Sequence, residues 1–163
     1  MLIITEIPST EAPPFQQLTP VGFSAYEDTI TSDYGAGDVI QFSHIITNVG
    51  NHYNSVTSTF VAPYDGFYLF SASVSCDDDV HVRANIMKEG SLLATAYADD
   101  LSLTVHETHH QASMVVVTEC AAGDRVWVES EDIGQIYSDS SRISVFTGVM
   151  LVQYSNNTVS DTA

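Results

Sequence analysis

Positive charge is nearly missing from this sequence: Arg83, Lys88, Arg125 and Arg142 are its only Lys and Arg, against 21 Asp and Glu, for a net charge of −17 with histidine neutral. No two of the four are adjacent, so there is no basic patch, and nucleic acid and anionic membrane are excluded as partners. Cysteine is scarce as well. Cys76 and Cys120 are too few to staple a small scaffold, and their spacing matches no zinc motif. Long apolar runs are absent; none approaches the ~20 residues a spanning helix needs, so membrane insertion is not expected. Met1 to Ile7 lack a basic leader and do not read as a secretory signal. Helical stripes, internal repeats and low-complexity tracts are missing too.

What the chain does have is apolar surface, 44% hydrophobic residues with 10% aromatics among only 15% charged ones. That balance argues against disorder, and a chain of this size buries nearly 70% of its unfolded surface when it folds as one domain. Four prolines among polar residues make 1–20 an extended leader, and the polar run 155–163 reads as a tail, leaving a globular domain over 21–154. Within it, short segments rich in Val, Ile, Thr, Tyr and Phe alternate with Gly, Pro, Asn and Asp. In one of them Tyr68, Phe70, Ala72 and Val74 share a face, as a strand covered on one side requires. Further strands are expected near 21–26, 39–46, 53–56, 59–62, 80–88, 91–98, 111–119, 125–130 and 143–153. Ten short strands in this length predict an all-β sandwich or barrel.

Strand parity assigns the loops to two poles. Tight turns at Pro63-Tyr64-Asp65-Gly66, Lys88-Glu89-Gly90-Ser91 and Ala121-Ala122-Gly123-Asp124 fall at one end with both termini. Connections 27–38, 77–79, 99–110 and 131–142 fall at the other and hold 13 of the 21 acidic residues. By the same parity Cys76 ends a strand at the acidic pole and Cys120 one at the opposite end. Two unpaired thiols are therefore predicted, since a disulfide needs Cα atoms within about 7 Å.

The chain resembles the C1q domain of the complement C1q and tumour necrosis factor superfamily. The likeness rests on Val21-Gly22-Phe23-Ser24-Ala25, Phe42, Thr47-Asn48-Val49-Gly50-Asn51-His52-Tyr53-Asn54, Phe60-Val61-Ala62-Pro63 followed by Gly66-Phe67-Tyr68-Leu69-Phe70, Gln111-Ala112-Ser113, Gly123-Asp124-Arg125-Val126-Trp127-Val128 and Phe146-Thr147-Gly148-Val149-Met150-Leu151. It implies a ten-stranded jelly-roll β-sandwich that assembles as a homotrimer, outside the cell and without catalysis. Lacking any Gly-X-Y repeat, the chain is similar to head-only members found in invertebrates, which implies a lectin-like pattern-recognition protein of innate immunity that binds microbial surfaces or glycans. A signalling or structural ligand for a protein receptor is the alternative. The family's apical calcium site would fall on Gln111 with Asp99 or Asp100, three copies supplying the six to eight oxygens Ca2+ takes. A trimer would gather three times the charge of one chain, so its stability or its ligand binding is expected to depend on divalent cations or salt.

The acidic loops supply the remaining candidates. Asp77, Asp78 and Asp79 read as a solvated turn or, because adjacent carboxylates repel unless countered, a cation or basic-ligand site. Glu131 and Asp132 join them as ligand-binding candidates. His106-Glu107-Thr108-His109-His110 has the letters of the H-E-x-x-H zinc motif, which functions on a helix; here the segment runs into a strand, so the match is coincidental. His106 and His109 remain candidates for ligand contact, with charge changing between about pH 7 and 5, against the plainer reading of solvated loop histidines. Trp127 is expected in core or interface packing, with a sugar-stacking platform as the alternative. No Ser/His/Asp order, catalytic carboxylate pair or phosphate loop indicates an enzyme.

Overall fold

A computed structural model describes residues 19–29, 31–76, 80–99, 110–132 and 134–154. Among them are twelve strands and no helix: β1 Gly22–Tyr26, β2 Thr31–Tyr34, β3 His44–Val49, β4 Tyr53–Asn54, β5 Thr59–Val61, β6 Gly66–Cys76, β7 His81–Lys88, β8 Ser91–Asp99, β9 His110–Cys120, β10 Arg125–Ser130, β11 Gly134–Tyr137 and β12 Val145–Gln153. They form two antiparallel sheets. The larger runs β2-β11-β6-β12-β1-β3 with β9 paired to β6, and the smaller runs β4-β5-β10-β7-β8.

Alternation explains how the sheets close on each other. Along β6, Tyr68, Phe70, Ala72 and Val74 are all buried, the face expected from their spacing. The core is aromatic: Phe23 stacks on Tyr53 with ring centroids 4.4 Å apart and on Phe60 at 5.2 Å, and meets Phe146 edge-on at 4.9 Å. Gly148 lies opposite both Phe23 on β1 and Phe70 on β6, and the missing side chain is the space those two rings occupy.

Ten strands were expected, and two short ones are added. β2 and β11 pair with each other inside the connections 27–38 and 131–142. Their sequences, TSDY and GQIY, have too few alternating apolar residues to be read as strands. The strand expected at 39–46 is displaced. Val39 bridges Glu129 on the smaller sheet, whereas β3 starts at His44 and pairs with β1 on the larger one. The chain crosses between sheets at 40–43, where Ile40 and Phe42 plunge into the core and no continuous ladder can form. Trp127, expected in core or interface packing, is not in the core. Val126 and Val128 are buried, so alternation turns the indole onto the outer face of the smaller sheet rather than into the core.

Strand parity holds. At one end Asp65 Oδ1 accepts from Ala122 N at 2.7 Å, Asp65 O accepts from Tyr154 N at 2.9 Å, and Glu89 accepts from Arg125 N at 2.7 Å. The tight turns and the end of β12 therefore meet there. Cys76 pairs with His110 and Cys120 with Gly66 at opposite ends of the β6–β9 ladder. Ten residues at about 3.3 Å each separate the sulfurs by roughly 33 Å, and neither cysteine forms a disulfide.

Candidate functional site: the acidic pole

Carboxylates meet cations at both poles. At the tight-turn pole Arg125 grips Glu89 through two hydrogen bonds of 2.9 and 3.1 Å, and this guanidinium pulls the Glu89 carboxyl down to about 2. Lys88 Nζ lies 3.6 Å from Asp124. Two of the four cations are thus engaged by carboxylates of the base, although solvent-accessible pairs of this kind add little stability.

The opposite pole gathers Glu27, Asp28, Asp33, Asp38, Glu131, Asp132 and Asp139 from the ends of β1, β2, β10 and β11 and the turn before β12. Of the sequence-proposed residues, Glu131 and Asp132 are held by β7. Arg83 Nη1 lies 3.3 Å from Glu131 Oε1 and His81 Nε2 lies 3.3 Å from Asp132 Oδ2. Arg83 also sits over the Tyr97 ring, 5.0 Å from its centroid. The second Asp132 oxygen, Oδ1, is buried with no hydrogen-bond partner among the described residues, an arrangement that costs free energy until a donor or cation meets it. Gln111 stands near the start of β9, where its Nε2 donates to Ile143 O at 2.6 Å, which leaves Oε1 as an acceptor. Asp99 ends β8 opposite His81, so its backbone is at the same pole as Gln111. The pole thus offers oxygen donors of the kind a hard cation takes. Asp77, Asp78, Asp79, Asp100, His106 and His109 lie outside the described residues. His110 opens β9, so this last letter of the H-E-x-x-H string is on a strand, where the motif has no helical face to use.

One cluster escaped the sequence reading. Glu27, Asp28 and His44 bring a donor atom each within 4.8 Å of one another, because β1 and β3 pair Tyr26 with His44. Glu27 is buried, and its Oε1 accepts from Asp28 N, Thr29 N and Thr29 Oγ1 at 3.0, 2.9 and 2.6 Å. Asp28 Oδ1 is 3.3 Å from His44 Nδ1. The hydrogen bonds to Glu27 close the turn after β1, and that structural role accounts for its burial. Only the sheet register could have revealed the grouping, since Asp28 and His44 are far apart in sequence.

A second surface is set by register alone. On the outer face of the larger sheet Val117, Leu69, Val149, Gly22 and Val49 lie side by side across β9, β6, β12, β1 and β3. Val117, Val149 and Val49 are 53%, 39% and 45% exposed. The next row toward the acidic pole is Val115, Ser71, Thr147, Ser24 and Thr47, in which Ser24 Oγ and Thr147 Oγ1 are hydrogen-bonded at 3.0 Å. The face is apolar near the base and hydroxylated above. Contiguous exposed apolar rows of this kind mark interaction surfaces.

The C1q-domain family profile matches residues 22–151. Complement C1q tumor necrosis factor-related protein 3 from Homo sapiens is 30% identical over 134 residues, covering 82% of this chain and 52% of that protein. Caprin-2 from Danio rerio is 31% identical over 144 residues, covering 86% of this chain and 15% of the relative. The chain therefore spans about half, or less, of the curated relatives it matches. Among solved structures, the globular domain of zebrafish complement 1qA aligns with a TM-score of 0.66 at 16% identity, covering 83% of this chain and 99% of that one. The Eiger tumour necrosis factor of S. frugiperda aligns at 0.68 and 12% identity, covering 86% and 98%. Identities this low establish the fold alone.

Proposed function

The chain belongs to the C1q-domain family, and from that premise we propose that it is a secreted homotrimer that recognises microbial or glycan ligands through its acidic pole. Membership of the family makes it a binding or signalling protein and not an enzyme. No helix among the described residues is long and apolar enough to cross a membrane. The reading rests on one observation above all, the gathering at one pole of seven described carboxylates, Glu27, Asp28, Asp33, Asp38, Glu131, Asp132 and Asp139, against which Arg83 is the one Lys or Arg paired with a carboxylate there among the described residues. A site of that sign selects cationic groups directly, or polyhydroxyl ligands through a bound cation. The apolar row on the larger sheet supports the trimer, because closed symmetry buries such a face without open-ended growth. In that assembly Gln111 Oε1 and Asp99 from three copies would hold Ca2+ near the axis, neutralising carboxylates that otherwise repel.

The test is a glycan and microbial-surface array probed with the full chain, with and without EDTA, beside the variant Glu131→Gln/Asp132→Asn. Binding that EDTA or the variant weakens supports recognition by the pole. Silence in every arm overturns it, and saturable capture of a single protein without glycan preference assigns the pole to a receptor instead.

A further inference from the structure

We propose that the groove beside Trp127, on the outer face of the smaller sheet, binds a neutral pyranose sugar. The groove exists because β10 changes partner at this residue. β5 pairs with Arg125 to Trp127, after which Val39 and Ile40 take over, Val39 bridging Glu129 and Ile40 N donating to Val128 O at 2.9 Å. The gap between the two partners is overhung by the turn from Asn54 to Ser58, where Ser58 takes a left-handed φ of 49°. The resulting cavity of about 450 Å³ is lined by Val39, Asn54, Thr57, Thr59, Arg125 and Trp127, among others, and lies within the roughly 300–1,000 Å³ typical of small-molecule sites.

The lining specifies a ligand with one apolar face and a hydroxylated edge. Trp127 provides a broad aromatic surface whose orientation is set in advance, since its Nε1 donates to Glu129 Oε2 at 2.9 Å; a platform already ordered loses less entropy on binding. Around it are neutral hydrogen-bonding groups. Asn54 Oδ1 accepts from Val56 N at 2.9 Å and Thr57 N at 3.2 Å, which leaves its Nδ2 to donate outward. Thr59 Oγ1 donates to Thr57 O at 2.9 Å and can still accept. The one charged side chain named in the lining, Arg125, is neutralised by Glu89, and a chain of net charge −17 repels anions. Nucleotides and sialylated or sulfated sugars are therefore disfavoured, although their rings would stack. A purely aromatic ligand would cover the indole but make no use of Asn54 Nδ2 or of the acceptor capacity of Thr59 Oγ1. The axial C–H face of a pyranose packs on the indole while its equatorial hydroxyls reach that rim. Among the described residues none of the acidic-pole carboxylates lines the groove, so this site is separate from the one proposed above.

Trp127 is the sole tryptophan of the chain, so its emission reports on this site alone. The full chain is titrated in EDTA with maltotriose, mannotriose and chitotriose, and with sialyllactose as an anionic comparison. A saturable change with at least one neutral trisaccharide, at a Kd in the range of about 1 mM or tighter, is expected, with sialyllactose at least tenfold weaker. Thr59→Lys, at the half-buried rim of the groove, should weaken the neutral sugar at least tenfold while leaving the far-UV spectrum and melting temperature in place. Trp127→Phe, read by calorimetry, should weaken it as well. The proposal is overturned if none of the three neutral sugars gives a saturable response up to about 10 mM, if Thr59→Lys responds like the parent, or if sialyllactose binds equally well. Because EDTA is present throughout, success or failure here is independent of cation-dependent recognition by the pole.

Discussion

Replacing Gly148 with alanine tests the aromatic core directly. An added Cβ would lie 2.5 Å from Phe23 Cε1 and 2.8 Å from Phe70 Cδ1 and Cε1, about 1 Å inside the separation of roughly 3.5–4.0 Å at which carbon atoms attract. Neither ring can step aside alone. Phe23 is stacked on Tyr53 and Phe60, while Phe70 touches Phe60 and Phe146 at centroid distances of 5.5 and 6.3 Å. Overpacking of this kind costs about 1–3 kcal/mol. Against it stands a gain of about 0.4–1 kcal/mol from a less flexible unfolded chain, available because Gly148 is not among the left-handed residues. The net expectation is a loss of about 1–2 kcal/mol. In urea that lowers the midpoint by about 0.5–1 M, and on heating it lowers Tm by about 2–4 °C per kcal/mol. Val56→Ala, at a position 83% exposed, should stay within about 0.5 kcal/mol of the parent. An unchanged or raised midpoint for Gly148→Ala would show that the rings yield freely and would refute the close-packed account of the core.

Other outcomes follow from the same geometry. Val149→Asp puts a carboxylate in the middle of the apolar row and should convert a trimer of about 53 kDa, three times 17.7 kDa, into monomer by light scattering; an unaltered mass would remove this face from the interface. The proposed trimer of the parent should in turn loosen in EDTA at low salt, and a mass indifferent to both would leave the carboxylates merely solvated. Burial pushes Tyr53 up to about 12 from 10.0, so the native state keeps a proton that the unfolded state loses. Its contribution is full below pH 10 and declines as pH rises toward 12, with a slope of up to about 1.4 kcal/mol per pH unit. Tyr53→Phe, which also loses the 2.9 Å bond to Phe42 O, should flatten that alkaline limb in urea melts at several pH values. Burial likewise pushes the Cys120 thiol up to about 11 from 9.0, and a thiol-specific reagent at neutral pH should label it only at the rate of unfolding; rapid labelling of the folded chain would contradict its burial.

The strands that sequence pattern revealed were those with one buried face. β6, β7, β10 and β12 alternate or run apolar over six residues or more, and their periodicity is a direct image of the core. β2 and β11 left no such trace because each buries a single apolar side chain, Tyr34 and Ile136, too few to make a period, and they hold to each other through polar contacts such as the 2.6 Å bond from Gln135 Nε2 to Asp33 Oδ1. The crossing at 40–43 misled in the opposite sense. Its apolar residues are buried between the sheets, and burial without a ladder looks like a strand in one dimension. For the candidate site, the acidic character of the pole was legible because parity places loops at ends. The partners were not: His81 meets Asp132 and Arg83 meets Glu131 only through the three-dimensional neighbourhood of β7 and the end of β10.

By itself, then, the sequence determined the class of fold, the family, the segregation of acid to one pole and the separation of Cys76 from Cys120. All of these depend on local periodicity, motif order or strand direction, which are properties of neighbours along the chain. Only the tertiary structure decided that Trp127 faces outward beside a groove, that Val117, Val149 and Val49 line up on an open face, and that Glu27, Asp28 and His44 converge. Those depend on register and on changes of strand partner, and a register is chosen by the packing of two sheets against each other, to which every strand contributes and which no single segment encodes.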